Sequence, residues 1–461
     1  MVQSNPDAQI MPWDQPKVFG HPKGLFILFF TELWERFSFY GMRAILVLYM
    51  IASVAEGGLG WTNAEALALY GWYTMLVYVM SIPGGFIADR FLGQKKTVLL
   101  GGILLCFGHG ILAVDHLWAF YAGLSLIVLG VGGLKPNIST MVGGLYKPGD
   151  PMRDKGFTIF YIGINIGAFL ASLIVAVVAA EYGWHYGFGL AGIGMLIGQI
   201  VFMAGQRYLK GVGDHIAPIK DASNHVKSVP LTAVEKDRMI VLFLSFLIVI
   251  VFWGAFEQAG GLMNIYAEQK VNRDILIPFL NIDYTVPAGV FQAFNPLFIM
   301  IFGAIVASFW YNRKLKGKES SALFKMAVGT MIMGSGFILM VGASMDVAAS
   351  PDNKAAMYWL IGAYLLHTIG ELSSSPVALS FITKLAPVKY ASLMMGIYFA
   401  MSGLGNYVAG RLGVLAQHLG EMQIFGGIAV FTITFGVLVL LFLRKLKALT
   451  HGAEEEDGEG H

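Results

Sequence analysis

The chain has 461 residues, of which 56% are hydrophobic and only 13% are charged. Soluble domains carry roughly 25% charged residues, so this composition excludes an ordinary soluble protein and predicts a chain that lies mostly in lipid. The net charge of +2 at pH 7 gives no indication of a nucleic-acid partner. The single cysteine, Cys106, excludes an intrachain disulfide, and we expect it to pack within an apolar helix.

Long apolar runs follow a polar opening segment, 1–23. This segment lacks the order of basic, apolar and small residues that marks a signal peptide, and we expect it to be cytoplasmic. Runs of the roughly 20 residues needed to cross a bilayer recur twelve times. Six of them lie near 24–52, 64–88, 96–114, 118–145, 157–180 and 186–206. The other six lie near 238–266, 284–312, 321–345, 354–382, 390–416 and 421–443.

These runs predict an all-α integral membrane protein of 12 transmembrane helices in two six-helix halves. The halves are expected at 24–206 and 238–447, joined by a cytoplasmic linker at 207–237. The acidic, glycine-rich tail at 448–461 is typical of disorder. We expect a multi-pass protein of the cell inner (plasma) membrane. Most Lys and Arg residues fall in the termini and the even-numbered loops, so the positive-inside rule predicts that both termini are cytoplasmic.

Charged residues inside the predicted spans are the main functional signal, because each costs at least ~2.5 kcal/mol at the bilayer centre and therefore faces a partner or a water-filled cavity. In the first helix Glu32, Glu35, Arg36, Tyr40 and Arg43 are spaced so that they share one helical face. That face is expected to line an interior. The alternative is that these charges form ion pairs that only hold helices together.

Three more charges fall inside predicted spans: Lys135 in GVGGLKPN, Glu257 in FEQAGG and Glu371 in ELSSSP. Lys135 and Glu371 lie beside a proline or small residues, where a helix bends and exposes backbone groups that are tolerated only against protein or water. The sequence contains no phosphate-binding glycine loop and no His, Cys or carboxylate cluster with metal-ligand spacing. We therefore expect no metal, no cofactor and no enzymatic activity.

With these segments the chain resembles the proton-dependent oligopeptide transporter family of the major facilitator superfamily. ELWERFSFYG at 32–41 is similar to the family's first-helix signature, and FTIFYIGINIGAF at 157–169 to its fifth-helix signature. GVGGLKPN at 130–137, FEQAGG at 256–261 and ELSSSP at 371–376 also resemble family segments. The resemblance implies a major facilitator fold and proton-coupled import of di- and tripeptides by alternating access.

The resemblance also implies roles for the residues at matching positions. It assigns proton coupling to Glu32, Glu35, Arg36, Lys135, Arg43 and Glu257. Arg36 and Lys135 would bind the peptide's carboxylate, and Glu371 its ammonium group. The rest of the peptide would contact Tyr40, Tyr78, Asn165, Asn295, Ser375 and Tyr398. Arg43 and Glu257 would form a gating pair. One half of the chain would contribute the bases Lys135 and Arg36, and the other half the acids Glu257 and Glu371.

Some positions are less specific or depart from the family pattern. The segment GGFIADRFLGQKK resembles the loop motif of the whole superfamily. The resemblance implies that Asp89 and Arg90 hold the cytoplasmic side shut. The alternative is a solvated basic loop. Phe39 stands where the family usually has tyrosine, and Tyr398 where it usually has tryptophan. Many bacterial relatives carry two additional helices between the halves, for which the linker here has no room.

Two other functions stay open at this stage. One is proton-coupled transport of another zwitterionic or anionic small molecule, an alternative that the departures at Phe39 and Tyr398 leave open. The other is a membrane enzyme or receptor that uses the buried charges without transport. The second leaves the two-half arrangement unexplained, and no nucleophile with an accompanying base is present near the charges. Membrane lipid, protons and di- and tripeptides are the partners that the main interpretation predicts.

Overall fold

The structure is a computed structural model that describes residues 13, 15–147, 150–214, 232–277, 282–387 and 391–453. Helices dominate this part of the chain. They are α1 Lys23–Ile51, α2 Asn63–Val79, α3 Ser81–Ile87, α4 Gln94–Leu112, α5 Leu117–Gly144, α6 Met152–Tyr182, α7 Trp184–Ala204, α8 Ala233–Phe256, α9 Leu262–Lys270, α10 Phe294–Leu315, α11 Ala322–Ala349, α12 Met357–Leu385, α13 Ala391–Leu419 and α14 Glu421–Leu449. Most of the predicted linker, and the tail from residue 454, lie outside the described residues.

The helices agree in number and position with the predicted spans. Within the described residues, nine helical stretches are long and apolar enough to cross a membrane. Helices α1, α12 and α13, of 29 residues each, have sufficient length as well. Counting α2 with α3 and α8 with α9 as single interrupted spans gives twelve. The predicted apolar runs therefore correspond to twelve helical segments.

Local sequence signals explain two boundaries that differ from the predicted runs. Helix α8 begins five residues before the predicted run at 238–266, because Thr232 and Glu235 form a capping box with Thr232 as N-cap. The predicted run at 284–312 is wrong at its start, because Ile282–Thr285 is a strand and α10 begins only at Phe294. Pro287 disfavours helical backbone at the preceding residue and supports this break.

Short irregular elements join the helices. A π-helical turn covers Ala88–Leu92, and 3₁₀ turns cover Val54–Glu56, Gln206–Leu209, Glu257–Ala259 and Ala288–Ala293. Six short strands form three pairs: β1 Lys17–Val18 with β2 His21–Pro22, β3 Val271–Asn272 with β6 Ala355–Ala356, and β4 Asp274–Ile277 with β5 Ile282–Thr285. The β3–β6 pair is parallel and the other two are antiparallel.

The chain divides into two compact units. The first falls within Met1–Met42 and Val79–Ile219, and the second within Arg43–Tyr78 and Lys220–His461. Segment 43–78, which the predicted first half contains, thus belongs to the second unit, where Gly71 packs closely on Gly410 of α13. The predicted boundaries of the halves stay a prediction.

A glycine-lined interface between α4 and α5 organises the first unit. A Cβ atom added to Gly101 would lie 2.7 Å from the carbonyl oxygen of Gly130, and one added to Gly108 would lie 3.0 Å from that of Gly123. Each contact is reciprocal, so the two backbones touch where side chains would otherwise separate them. This close approach fixes the position of α5, which carries Lys135.

The second unit has an apolar core built from α8, α11, α12, α13 and α14. Phe246, Met326, Phe381 and Leu443 are among its buried side chains. In a bilayer the alternative to this packing is contact with lipid, so van der Waals packing of the side chains, rather than exclusion of water, stabilises the core. Helix α8 ends just before Glu257, and α12 carries Glu371. The core fixes these two helices relative to each other within the unit.

Candidate functional site

Three charged residues of α1 form a buried cluster in the first unit. Glu32, Glu35 and Arg36 are 3%, 0% and 4% exposed. Nε of Arg36 lies 3.0 Å from Oε1 of Glu32, one helical turn away, and also contacts Oε2 of the adjacent Glu35. Lys135 of α5 interacts electrostatically with both carboxylates. The first unit thus brings together the two acids and two bases that the sequence singled out.

Helix α6 reaches this cluster through its glycines. A Cβ atom added to Gly163 would lie 2.7 Å from the ring of Phe29, and one added to Gly167 would overlap the carbonyl oxygen of Leu33 and lie 3.1 Å from Cβ of Arg36. The glycines of the FTIFYIGINIGAF segment therefore allow α6 to contact α1 directly beside Arg36. On the same helix Asn165 is buried, and its amide donates to the carbonyl of Tyr161 at 2.9 Å.

The aromatic residues of α1 lie against the same charges. The guanidinium carbon of Arg36 is 5.9 Å from the centre of the Phe39 ring, within the range of a cation–π contact. The Phe39 ring meets Tyr40 edge-on, at 5.6 Å between centroids. A phenylalanine at position 39 thus keeps an aromatic face for the guanidinium, although it lacks the tyrosine hydroxyl usual in the family.

A second buried cluster joins three residues of the second unit. Nη2 of Arg43 lies 2.9 Å from Oε2 of Glu257, and Nε of Arg43 donates to the hydroxyl of Tyr70 at 2.8 Å. The Tyr70 hydroxyl in turn donates to Oε2 of Glu257 at 3.3 Å. All three residues are buried. The predicted Arg43–Glu257 contact is therefore present, and Tyr70 is a member that the sequence did not indicate.

An interruption between α8 and α9 makes room for this cluster. The chain leaves the α-helix at Glu257, and a Cβ atom added to Gly260 would overlap the Tyr70 hydroxyl and lie 2.7 Å from Nε of Arg43. Two hydrogen bonds connect the interruption to neighbouring helices: the Gln258 amide donates to the carbonyl of Ala409 on α13 at 3.1 Å, and the Tyr364 hydroxyl of α12 donates to the carbonyl of Ala259 at 3.3 Å. The FEQAGG segment is thus shaped around a buried ion pair.

Glu371 of α12 lies in a third polar group, also in the second unit. The Asn295 amide of α10 donates to Oε2 of Glu371 at 2.7 Å and to the Thr368 hydroxyl at 3.1 Å. Glu371 also interacts electrostatically with Glu257 and Arg43. Asn295, which the resemblance had indicated, therefore holds the Glu371 carboxylate directly.

The remaining predicted residues are less closely associated with the charges. Tyr398 is buried on α13, and its backbone carbonyl accepts a hydrogen bond from the Ser402 hydroxyl at 3.0 Å. Tyr78 is partly buried near the end of α2. Asp89 and Arg90 are exposed in the π-helical turn, where the Arg90 guanidinium lies 5.6 Å from the ring centre of Phe86. Their gating role stays a prediction.

Comparison with known proteins identifies the family. A model of the POT family matches residues 95–237 and 216–424, well over half of the chain. The chain belongs to the POT family. The predicted resemblance is thereby confirmed, and with it the major facilitator fold of twelve helices in a membrane transporter family.

Within the described residues, no group of three or more His, Cys, Asp or Glu side chains could hold a metal ion.

Two relatives of this POT family chain have names that state a substrate. The Peptide transporter YePEPT of Yersinia enterocolitica is 34% identical, over 95% of this chain and 97% of its own. The Di-/tripeptide transporter of Lactococcus lactis subsp. lactis is 32% identical, over 94% and 97%. Both alignments extend over nearly all of both proteins.

Solved structures agree with this assignment. A crystal structure of the peptide transporter POT in complex with sulfate is 35% identical, with a TM-score of 0.86 over 94% of this chain and 97% of that one. A POT family transporter in complex with 5-aminolevulinic acid is 29% identical, with a TM-score of 0.87 over 95% and 99%. The fold of this chain is therefore that of solved POT transporters.

Proposed function

We propose that this chain is a proton-coupled symporter that imports di- and tripeptides by alternating access. Its family and the names of its relatives support a peptide substrate. The distribution of basic residues supports insertion in the cell inner membrane with both termini cytoplasmic. In this proposal the chain carries solutes and catalyses no covalent change, so it needs no cofactor.

The observation that carries the proposal is the balance of charge around Arg36. Glu32, Glu35, Arg36 and Lys135 together are neutral when both carboxylates are ionised. One added proton leaves a net positive charge in a buried environment, where an unpaired charge is costly. A peptide carboxylate that binds Arg36 and Lys135 cancels that charge. Proton and peptide therefore stabilise each other's binding, which is the requirement for symport.

Glu371 supplies the complementary half of peptide recognition. Its hydrogen-bond donor is a neutral amide, Asn295, so the negative charge of the carboxylate is hydrogen-bonded but not neutralised by that contact. A peptide ammonium group can provide the missing positive charge through a charge-assisted hydrogen bond. We propose that the ammonium binds Glu371 and that Tyr40, Tyr78, Asn165, Ser375 and Tyr398 contact the remainder of the peptide.

The proton-coupling proposal is tested with Glu35→Gln in liposomes. We expect the variant to lose accumulation of di-alanine driven by an inward proton gradient but to keep counterflow, because the charge balance is then fixed in its protonated form. Glu181→Gln, an exposed position of α6, is the matched control and should behave like the wild type. If Glu35→Gln still concentrates di-alanine with only a proton gradient imposed, the assignment is wrong.

The ammonium proposal is tested with acetylated dipeptides. Contacts of this kind contribute roughly 1.5–3 kcal/mol, so acetylation should weaken competition against the wild type by about tenfold or more. Glu371→Gln should lose affinity for the free dipeptide and become nearly indifferent to acetylation. Equal competition by both peptides against the wild type would remove Glu371 from ammonium recognition and would favour another substrate.

A second candidate is proton-coupled transport of another zwitterionic or anionic small molecule. A solved POT family transporter contains 5-aminolevulinic acid, which has an ammonium and a carboxylate but no peptide bond. Phe39 and Tyr398 also change the aromatic lining from the usual family pattern. In the same counterflow assay, 5-aminolevulinic acid that competes better than di-alanine would favour this alternative.

A further inference from the structure

A basic cavity lies in the second unit, separate from the charged clusters described above. Its volume is about 910 Å³, and it lies between the ends of α10, α11, α12 and α14. Six basic residues line it: Lys314, Lys318, Lys325, Lys384, Arg444 and Lys447. Glu319 is the one acidic residue among the described lining residues. The cavity therefore has a strong excess of positive charge.

The single acidic residue is already engaged. The Glu319 carboxylate accepts a hydrogen bond from the backbone N–H of Ser321 at 2.9 Å and contacts Nζ of Lys447 at 3.1 Å. Burial alone would raise the pKa of Glu319, but the hydrogen bonds from Ser321 and Lys447 outweigh it and lower the pKa below its usual value. Glu319 is thus a carboxylate committed to Lys447, and five further bases face the cavity.

A helix terminus adds to the positive potential. Helix α11 has 28 residues, and its N-cap Ser321 and the preceding Ser320 both line the cavity. The N-terminus of a helix carries roughly half a positive charge, and serine hydroxyls donate to anions. Lysine ammonium groups, serine hydroxyls and a helix N-terminus together form the environment in which proteins bind phosphate.

Exposed apolar side chains flank the cavity on two of its helices. Leu315 directly follows Lys314 on α10, and Leu441 and Phe442 precede Arg444 on α14. Surfaces of this kind suit lipid chains, and this end of the helices is predicted to be cytoplasmic, where anionic headgroups attract basic residues. We propose that the cavity binds the phosphate of an anionic ligand, and that the headgroup of an anionic phospholipid is the source its surroundings favour.

The proposal is tested by lipid binding to the full-length protein in detergent, measured by native mass spectrometry. Phosphatidylglycerol and phosphatidylcholine are titrated separately. Lys318→Gln with Arg444→Gln removes two exposed cations of the cavity. Lys316→Gln with Lys445→Gln is the matched control. It removes two exposed cations that lie in the same two segments but do not line the cavity.

We expect the wild type and the control to prefer phosphatidylglycerol. A cation near an anionic surface contributes roughly a fivefold gain in binding, so the cavity variant, which lacks two, should bind phosphatidylglycerol about 25-fold more weakly. If the control loses as much binding as the cavity variant, the effect is general electrostatics and the proposal is overturned. Should the double variant fail to fold, Lys318→Gln alone, compared with Lys316→Gln, provides the same contrast with about a fivefold loss.

A second measurement separates a lipid headgroup from a soluble anion. The apparent Tm of the wild type is followed while inorganic phosphate replaces chloride at constant ionic strength. One outcome is that inorganic phosphate raises the Tm of the wild type but not of Lys318→Gln with Arg444→Gln, while the wild type shows no preference for phosphatidylglycerol. That result supports the phosphate site and identifies a soluble ligand as its source. No preference for phosphatidylglycerol and no response to inorganic phosphate would overturn the proposal.

Discussion

Gly260 allows the most sharply defined perturbation of the buried Arg43–Glu257–Tyr70 cluster. In Gly260→Ala the new methyl group would overlap the Tyr70 hydroxyl and lie 2.7 Å from Nε of Arg43. Ordinary contacts are about 3.5 Å, so the hydroxyl would have to move by more than about 1 Å. That displacement breaks the 2.8 Å hydrogen bond from Nε of Arg43.

The expected cost has two parts. Overpacking of a well-filled interior costs about 1–3 kcal/mol, and loss of a hydrogen bond to a charged group costs about 1.5–3 kcal/mol. We therefore expect Gly260→Ala to lower stability by about 2.5–6 kcal/mol, and the apparent Tm in detergent, followed by tryptophan fluorescence, to fall by several degrees. Gly254→Ala is the control, because its methyl group would make an ordinary 3.4 Å contact with Val408.

Tyr70→Phe provides the decisive comparison. It removes the overlapping oxygen, although it leaves Nε of Arg43 without that acceptor at a cost of about 1–3 kcal/mol. If the overlap is the cause, Gly260→Ala combined with Tyr70→Phe should be less destabilised than the sum of the two single variants. Additive losses, or a Gly254→Ala variant as unstable as Gly260→Ala, would refute the reasoning.

Three other predictions concern separate parts of the molecule. Exchanging the charges, Arg43→Glu with Glu257→Arg, should restore more di-alanine uptake than either reversal alone, because each single reversal brings like charges together; a double variant no better than the worse single one contradicts a role for the pair. Asn295→Leu removes the donor to Glu371 and should weaken dipeptide competition by about tenfold, and unchanged competition would exclude that role. Burial lowers the pKa of His21. The folded protein therefore takes up a proton on His21 less readily than the unfolded chain does, and stability that is present above pH 6.5 is lost as the pH falls toward the folded-state pKa. The Tm of the wild type should fall more between pH 7.5 and 5.5 than that of His21→Gln, and parallel curves would contradict this.

The membrane segments could be predicted from the sequence because the bilayer imposes a fixed length on every apolar run. The interruptions were harder to predict. FEQAGG lies inside the predicted run at 238–266, and its 3₁₀ turn depends on tertiary contacts from Tyr364 and Gln258 to backbone carbonyls. Strand Ile282–Thr285 was also missed, because it pairs with Asp274–Ile277, and the length of an apolar run carries no signal of that pairing.

The candidate site divides in the same way. Glu32, Glu35 and Arg36 could be placed together from helical spacing alone, since residues at positions i, i+3 and i+4 lie on one face of a helix. The partners of Arg43 come from sequence positions 27 and 214 residues away. Glu257 stood out because a charge inside an apolar span is conspicuous, whereas Tyr70 is one of many aromatic residues in the spans and gave no such signal. Only tertiary structure shows that its hydroxyl completes the cluster.

The glycine contacts between α4 and α5 have a consequence for biogenesis. The two helices are neighbours in sequence, and the contacts Gly101–Gly130 and Gly108–Gly123 lie within 30 consecutive residues. Pairing of such local segments requires little loop-closure entropy and is fast compared with long-range packing. Synthesis proceeds from the N-terminus, so this hairpin can assemble in the bilayer as soon as α5 has been inserted. Later helices of the first unit then meet a preformed surface that already contains Lys135.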